Sequence, residues 1–439
     1  MRKMKDSGIE WIGKIPDNWK VLRLKNILSE RKEKNNPIKT DKILSLTNDR
    51  GVIPYSEKGN QGNKAKEDLS DYKIAYPNDI VLNSMNVVIG SVGISKYFGC
   101  VSPVYYMLYT KEYNIKYYNY IFQTKIFQDS LKGLGNGILE IRMRIPMEKL
   151  NNVILPIPNI TEQEKIANFL DSKISEIDKI IEKTKETIED YKKYKQAVIA
   201  NIITKGLDEN VKYKDTGIDW IGKIPEKWEL SYIRYLGKLQ NGISKSFEYF
   251  GEYKYPFVSY GDVYNNYELP KEYKSFANSS EKDQKVYSVK YGDVFFTRTS
   301  EIVEEIAISS VCLENIKNAV FSGFLIRFRV NNLSKLDPQY AKYYFRSNIH
   351  RKFFAKEMNI ITRASLGQDL LKRLPVILPS IKEQKQIGNY LDNKCLEIDK
   401  LIENKDKIIL QLEEYKKSLI YEYVTGKKRS YIGGKYGRK

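Results

Sequence analysis

Apolar residues recur at alternating spacings of three and four in two long stretches of the chain, a pattern typical of coiled-coil helices. Both stretches follow a proline-bearing segment, and they stop near Gly206 and Gly426. Proline favours a helix start and glycine favours a helix end, so we predict long helices over 156–205 and 379–426. The predicted seam positions are Ile166, Leu170, Ile174, Ile177, Ile181, Thr184, Ile188, Tyr191, Tyr194, Val198 and Ile202 in the first helix, and Ile387, Leu391, Cys395, Ile398, Ile402, Lys405, Ile409, Leu412, Tyr415, Leu419 and Tyr423 in the second. The simplest arrangement pairs the two helices within one chain; the alternative is that each pairs with another protein.

The chain also repeats itself. From Glu162 and Glu383 onward the two helical stretches align without a gap, at an offset of 221 residues. The segments DSGIEWIGKIP, from Asp6, and DTGIDWIGKIP, from Asp215, repeat at an offset of 209. The order is a repeated segment, a divergent block and a long helix, twice over, which predicts an approximate twofold arrangement. By this symmetry the N-terminal segment should lie beside the end of the second helix, near Thr425.

The predicted divisions of the chain follow from this order. They are a repeated segment over 1–20, a first divergent domain over 21–155, a long helix over 156–205, a linker with the second repeated segment over 206–228, a second divergent domain over 229–378, a long helix over 379–426 and a basic tail over 427–439. The divergent domains contain short β-branched and aromatic runs such as VSPVYYMLY, YGDVFFTRTS and FLIRFRV, which indicate strands. Each domain then has a helix-like stretch, YNYIFQTKIFQDSL or QYAKYYFRSNIHRKFF. We therefore predict a mixed α+β fold in which two globular domains are separated by two long antiparallel coiled-coil helices.

The composition favours a polyanionic partner. Lys and Arg number 74 against 55 Asp and Glu, a formal net charge of +19, and such an excess is typical of nucleic-acid binding. The alternative is a lysine-rich surface that is only solvated. Cys100, Cys312 and Cys395 lie far apart without a C-x-x-C, so neither a disulfide framework nor a cysteine zinc site is expected. The chain has no apolar stretch of roughly 18 residues and no N-terminal signal-peptide core, which favours a cytoplasmic protein with no membrane partner.

One motif suggests a phosphate site and fails on its chemistry. Gly8, Gly13 and Lys14 satisfy the G-x-x-x-x-G-K spacing of a phosphate-binding loop. Bulky residues fill that loop, and Ile15 stands where the loop needs a hydroxyl to hold magnesium. We interpret this stretch as an apolar docking segment, formed by Trp11, Ile12, Ile15 and Trp19. His350 is the only histidine, and we expect it at a surface or interface; we expect no catalytic site, metal or cofactor.

Two polar stretches follow matching predicted strands, headed by Asp79 and Asp293. Their tips carry the donors and acceptors that read base edges in DNA. The candidate base-reading residues are Asn83, Ser84 and Asn86 in the first domain and Thr297, Arg298, Thr299 and Ser300 in the second. Candidate phosphate or base contacts are three arginines that precede the helix-start prolines, Arg142, Arg144 and Arg363. The alternative is that these arginines only face solvent.

Taken together, the chain resembles the specificity subunit of type I restriction-modification systems over essentially its whole length. The resemblance rests on DSGIEWIGKIP and DTGIDWIGKIP, combined with LPIPNITEQEKI and LPSIKEQKQI at the heads of the two long helices. It implies two target recognition domains that each read one half of a split double-stranded DNA sequence. It also implies paired helices that dock two adenine-N6 methyltransferase subunits, a motor-nuclease subunit that can join them, and no catalytic site or cofactor in this subunit. Because the two domains differ in sequence, the two DNA words should differ.

Two other functions stay open. One is a coiled-coil scaffold whose domains bind proteins without DNA specificity. The other is a fused methyltransferase, because DPQY from Asp337 resembles the D-P-P-Y that amino-methyltransferases use to hold a target amine. This motif lacks the second proline, and no glycine loop for S-adenosylmethionine precedes it. A helix start at Asp337 is therefore the favoured interpretation.

Overall fold

Each predicted coiled-coil stretch forms one continuous helix, Ile160–Lys205 and Ile381–Val424. Pro156 lies in the strand Ile154–Ile157, and Pro158 and Pro379 directly follow a strand, so the helices begin a few residues later than predicted. Both end at glycines, Gly206 and Gly426, whose φ angles of 80° and 73° lie in the left-handed region. Glycine adopts this conformation without the strain that a Cβ would cause. Among the described residues, no helix combines the length and apolar content needed to cross a membrane.

The computed structural model describes residues 2–48, 50–59, 64–135, 144–245, 255–300, 305–357 and 364–429. The chain divides into two units. Unit 1 consists of Met1–Thr184 and Asp406–Lys439, and unit 2 consists of Lys185–Lys405. Each unit therefore contains one repeated segment, one divergent domain and one half of each long helix.

Unit 1 is built on an antiparallel sheet of four strands, in the order Ser29–Arg31, Tyr105–Tyr109, Ile80–Asn83 and Val92–Ile94. Smaller strand pairs surround this sheet. They are Met4–Asp6 with Lys14–Pro16, Lys20–Arg23 with Ile154–Ile157, Leu44–Thr47 with Gly51–Pro54, and Lys73–Ala75 with Gly99–Val101. The α-helices besides the long ones are Ile115–Gln123, Lys125–Ser130 and Met147–Leu150.

Unit 2 repeats the four-stranded sheet in the same order, with strands Gly237–Asn241, Leu325–Val330, Val294–Thr297 and Ser309–Val311. Its other strands are Tyr213–Asp215 with Lys223–Pro225, Glu229–Tyr232 with Pro375–Leu378, Thr299–Ser300 with Ala364–Ser365, and a three-stranded sheet of Phe276–Ala277, Tyr255–Val258 and Val320–Phe321. Its shorter α-helices are Ile233–Leu236, Tyr260–Asn265, Glu281–Val286, Pro338–Arg346, Arg351–Glu357 and Gln368–Lys372. The mixed α+β fold and the internal repeat are confirmed. Asp337 caps the helix from Pro338, accepting from the backbone N–H groups of Gln339 and Tyr340, so the helix-start interpretation of DPQY is confirmed as well.

The two long helices pair in antiparallel fashion inside each unit. In unit 1 the rings of Phe169 and Tyr423 stack with centroids 4.5 Å apart, and Lys416 lies 2.7 Å from Asp178. In unit 2 Lys195 lies 2.6 Å from Asp399. The two ion pairs are equivalent under the 221-residue offset, so the helices keep the same register in both units. Exposed ion pairs of this kind contribute about 1 kcal/mol or less to stability, so their main role here is to fix that register.

Most of the predicted seam is buried, and one position in each helix is wrong. The buried seam residues are Ile166, Leu170, Ile177, Ile181, Thr184, Ile188, Ile387, Leu391, Cys395, Ile398, Ile409, Leu419 and Tyr423, while Ile174, Tyr191, Val198, Ile202, Ile402, Lys405 and Leu412 are partly buried. Tyr194 and Tyr415 are 51% and 52% exposed. A straight α-helix drifts by about 20° per heptad against a 3.5-residue repeat. Toward the end of each helix the buried stripe widens, so that Ile199 and Ile420 are buried beside the predicted positions Val198 and Leu419.

The N-terminal repeated segment docks where the symmetry predicts. Trp19 is fully buried, and a Cβ placed on Gly426, one residue after Thr425, would lie only 2.5 Å from Pro16 Cδ. In unit 2 Trp228 lies against Gly206 in the same way, with its Cζ2 3.0 Å from such a Cβ. Each repeated segment thus packs its apolar side chains against the end of a long helix, which confirms the docking interpretation of the G-x-x-x-x-G-K stretch.

His350 is a core residue, and the expectation of a surface position is wrong. Its ring is fully buried, with centroids 5.5 Å from Trp220 and 4.8 Å from Tyr344. Nε2 lies 2.8 Å from the Tyr344 carbonyl oxygen. Burial lowers the pKa of His350 to about 3, so the imidazole is neutral at physiological pH. The sequence around it is basic and aromatic, and it gave no sign that Trp220 of the repeated segment would cover the ring.

Candidate nucleic-acid interface

A buried aspartate braces the strand that carries the predicted reading tip of unit 1. Asp79, at the head of Ile80–Asn83, is 2% exposed and accepts two hydrogen bonds from Arg31, at 2.9 and 3.1 Å. The Arg31 guanidinium also lies over the rings of Tyr76 and Tyr109, at 4.3 and 4.6 Å. The hydrogen bond to Asp79 raises the pKa of Arg31. A bidentate, charge-assisted pair of this kind fixes geometry well, so it anchors the start of the strand Ile80–Asn83 to the edge strand Ser29–Arg31.

Unit 2 has the same brace, built from a different strand. Asp293 heads Val294–Thr297, is 1% exposed, and accepts from Arg329 at 2.7 and 2.5 Å. Arg329 lies on the central strand of the sheet, whereas Arg31 lies on the edge strand. Both units therefore have a buried aspartate at the same position, but the arginine that donates to it comes from a different strand in each unit.

In unit 1 the strand tip meets the predicted basic segment. Ile145 donates its backbone N–H to the Ser84 carbonyl oxygen at 2.9 Å, which brings the exposed Arg144 beside the tip. Burial, and to a smaller extent the charge of Arg144, lowers the pKa of Lys73. Lys73 is itself engaged, since its ammonium donates to the Tyr105 carbonyl oxygen at 2.8 Å and lies 3.9 Å from Glu30. Arg144 is therefore the cation that this loop offers to a polyanionic ligand.

Unit 2 has a backbone contact equivalent to the one between Ile145 and Ser84. Leu366 donates to the Arg298 carbonyl oxygen at 2.7 Å, and Arg298 donates its own N–H to Phe324 at 2.9 Å. The backbone of Arg298 is thus fixed from two sides. Its guanidinium lies 3.5 Å from the Gly323 carbonyl oxygen, which is at the long limit for a hydrogen bond. The side chain can exchange that contact for a stronger acceptor.

Two of the candidate reading residues face inward. Ser84 is fully buried, and its hydroxyl donates to the Val104 carbonyl oxygen at 2.7 Å. Thr297 is fully buried too; its hydroxyl donates to Glu305 at 3.0 Å and accepts from Ile308 at 2.9 Å. With their hydroxyl groups engaged by the backbone, neither side chain is available to a base edge. Ser84 and Thr297 are therefore excluded as candidate base-reading residues.

The other candidates keep accessible surface or lie outside the described residues. Arg144 is exposed, and Asn83, Asn86, Arg298 and Thr299 are partly exposed. The backbone of Ser300 pairs with Ala364, but its side chain is outside the described residues, as are Arg142 and Arg363. The structure thus brings the strand tip and the segment before the long helix together in each unit.

Sequence reasoning missed a pair of glutamines that fix the start of each long helix. Gln163 accepts from the Asn114 N–H at 2.9 Å and donates to the Pro158 carbonyl oxygen at 2.9 Å. Gln384 makes the equivalent contacts, to Asp337 at 2.8 Å and to Pro379 at 2.9 Å. Each amide ties the start of a long helix to the cap of the short helix from Ile115 or Pro338. The signal that could have found them was present, because Gln163 and Gln384 repeat at the 221-residue offset.

The family profile described as "Type I restriction modification DNA specificity domain" matches the chain twice, over residues 16–190 and 225–414. The chain belongs to this DNA specificity family. The two matches coincide with the two halves of the internal repeat. Each half therefore matches the specificity-domain family once, over a range that includes its strand tip and most of the following long helix.

Named relatives of the family are similar along most of the chain. The type I restriction enzyme MjaVIII specificity subunit of Methanocaldococcus jannaschii is 24% identical over 434 residues, covering 95% of this chain and 94% of its own. The EcoKI specificity subunit of Escherichia coli is 21% identical over 321 residues, covering 69% of this chain and 63% of its own. Both are named as specificity subunits of type I restriction enzymes.

Solved structures share the fold. A chain from a structure of a type I restriction-modification system superposes with a TM-score of 0.71 at 11% identity, over 94% of this chain and 99% of that one. The HsdS subunit from Thermoanaerobacter tengcongensis gives a TM-score of 0.53 at 13% identity, over 94% and 98%. At these identities the likeness supports the architecture, and residue roles have to come from this chain.

Proposed function

We propose that this specificity subunit reads an asymmetric two-part DNA site, one short word in each unit. The observation that carries the proposal is the double match to the family's DNA specificity domain, one in each half of the chain. The braced strand tips recur in both units, whereas the residues on them differ. Two readers that share a scaffold but not their reading residues recognise different words.

The division of labour between side chains follows from groove chemistry. An arginine that makes two hydrogen bonds to guanine is the commonest specific contact in the major groove, and asparagine pairs with adenine in the same manner. We assign the first role to Arg298 and the second to Asn83 and Asn86. Arg144 serves the phosphates, which hold the protein in register. The net charge of +19 supplies the long-range attraction.

We further infer that two copies of one adenine-N6 methyltransferase subunit dock on the paired helices, and that a motor-nuclease subunit can join them. The support is a repeated apolar surface. Ile180 and Leu401 are 49% and 43% exposed, and Tyr194 and Tyr415 are half-exposed; both pairs are equivalent under the 221-residue offset. Each unit thus presents one isoleucine or leucine and one tyrosine next to its interhelical ion pair. Equivalent surfaces bind copies of the same partner.

Purified chain with and without an adenine methyltransferase partner tests the proposal. We expect the chain alone to bind DNA with a strong salt dependence and to transfer no methyl groups. With the partner it should direct methylation to one split motif, which methylome sequencing would reveal. Turnover of S-adenosylmethionine by the chain alone would favour a fused methyltransferase. Absence of DNA binding in both preparations would favour a protein scaffold.

Arg298→Ala should impair recognition of one half of the split motif only. Loss of a bidentate base contact costs about 1–3 kcal/mol of discrimination, and Arg298 lies in unit 2 alone. Methylation rates on substrates with single base changes in each half would measure the effect. Arg234→Ala is the matched control, because Arg234 is an exposed arginine of the same unit. It precedes the strand Gly237–Asn241 at Gly237, which lies at the end of the sheet away from Arg298. Equal losses in both halves of the motif would contradict the assignment.

A further inference from the structure

One aromatic side chain projects from the edge that carries Arg298. Phe324 is 61% exposed, the most exposed phenylalanine among the described residues. It occupies the last position of the turn before the strand Leu325–Val330. That strand pairs with Val294–Thr297, with Leu325 opposite Thr297. Phe324 and Arg298 therefore stand side by side at the same end of the sheet.

Hydrogen bonds from three consecutive backbone N–H groups fix the turn that carries Phe324. Leu325 donates its N–H to the Ser322 carbonyl oxygen at 3.0 Å, and Phe324 donates to the Ser322 hydroxyl at 3.2 Å. Gly323 donates to Ile243 at 2.7 Å, so closely that a Cβ on Gly323 would lie 2.2 Å from Ser244 Oγ. A turn fixed in this way presents its phenyl ring in a defined direction, since the backbone has little freedom left to withdraw it.

Unit 1 has the same turn with a different side chain. Tyr105 donates to the Ser102 carbonyl oxygen at 3.0 Å, as Leu325 does to Ser322. Val104, at the position of Phe324, gives its carbonyl oxygen to the hydroxyl of Ser84, where Phe324 gives its own to the Arg298 N–H. Val104 is only partly exposed. The large projecting ring is thus a feature of unit 2 alone, on a turn that both units share.

We propose that Phe324 is a wedge that inserts between adjacent base pairs of the word read by unit 2, next to the base that Arg298 contacts. This proposal rests on the proposed function. Apolar side chains that enter a base step partly unstack and kink the duplex, and the energy comes from contacts that the kink permits. A rigid ring beside a cation suits this task, because the arginine holds the base edge while the ring replaces the lost stacking. The word read by unit 1 has no such step, since Val104 presents too little surface.

Fluorescence of 2-aminopurine tests the wedge, because the emission of this adenine analogue rises when its stacking is lost. The full chain, assembled with its methyltransferase partner, is mixed with duplexes of its methylation motif that carry the analogue at each position in turn. A methyltransferase flips its target adenine out of the stack and raises the emission there in both words, so those two positions are not counted. At the other positions we expect a rise at one step of the second word and none in the first. Phe324→Ala should abolish the rise and weaken binding about tenfold, as loss of a base–aromatic stack does. Phe324→Trp should retain both.

Control variants separate the wedge from the reading function. Val104→Ala, on the equivalent turn, should change neither fluorescence nor affinity. Specific binding by the unaltered complex without a rise at any position of the second word other than the target adenine would overturn the wedge and leave the proposed function standing. Binding by Phe324→Ala that equals that of the unaltered complex would overturn it too. Failure of the unaltered complex to select its motif would overturn the proposed function and the wedge with it.

Discussion

The N-terminal half alone, residues 1–215, is expected to form a homodimer that directs methylation to a symmetrical split site. The reason is that this half already contains both members of the interhelical ion pair. Asp178 and Lys195 are the equivalents of Asp399 and Lys416, so each copy can offer an aspartate to its twin's lysine. Trp19 would likewise meet Gly206 of the twin, as Trp228 meets Gly206 in unit 2. Both words of the methylated motif should then be the word of unit 1, inverted.

Size measurement in solution and methylome sequencing check this expectation. A useful control is Lys195→Asp in the half-chain, which would place like charges opposite each other twice in the dimer and weaken it. Adding Asp178→Lys should restore dimerisation, because the pair is then reversed and intact. A folded half-chain that stays monomeric, or a motif that stays asymmetric, would show that the two halves are not interchangeable.

Trp19→Ala should destabilise unit 1 by about 3–5 kcal/mol, the usual cost of removing a buried tryptophan. The indole is fully buried, packs edge-on against Tyr117 with centroids 6.5 Å apart, and donates to Glu162 at 2.9 Å. The substitution therefore leaves a cavity at the point where the N-terminal segment, the start of the first long helix and Gly426 meet. Hydrogen exchange read by mass spectrometry would show faster exchange in peptides of unit 1.

Two variants test whether this effect is local. Trp228→Ala should transfer the loss of protection to unit 2, because Trp228 occupies the equivalent position against Gly206. Trp19→Phe should cost less than Trp19→Ala, since it keeps an aromatic ring and loses the hydrogen bond to Glu162. Equal loss of protection throughout the chain in every variant would mean that the units unfold together.

The sequence predicted the architecture well because its strongest signals are periodic. Apolar spacing and the 221-residue offset were enough to predict both long helices, their pairing and the docking of the N-terminal segment near Thr425. Periodicity failed at Tyr194 and Tyr415, whereas the later predicted positions Leu419 and Tyr423 are buried. No pattern distinguishes a seam residue from its neighbour once the helix has drifted around its axis.

The candidate interface was harder to predict, because its side chains lie at element boundaries. The run FLIRFRV reads as a strand throughout, yet the strand begins at Leu325 and leaves Phe324 on the turn. A shift of one residue decides which way a side chain points. Ser84 and Thr297 show the opposite error. As polar residues at a strand end they seemed free to contact DNA, but in the structure their hydroxyl groups bond to the backbone. Whether the remaining candidates touch DNA stays a prediction.

The equivalence of the two interhelical ion pairs has a consequence for how new specificities arise. Each half of the chain supplies one aspartate and one lysine, so neither half is marked as first or second by these contacts. A gene whose halves were exchanged, or whose middle section was replaced by that of a relative, would still encode helices that pair in register. If the proposed function holds, recombination within the repeated flanks would exchange one reading domain for another and change the methylated motif, while the pairing of the long helices would be kept.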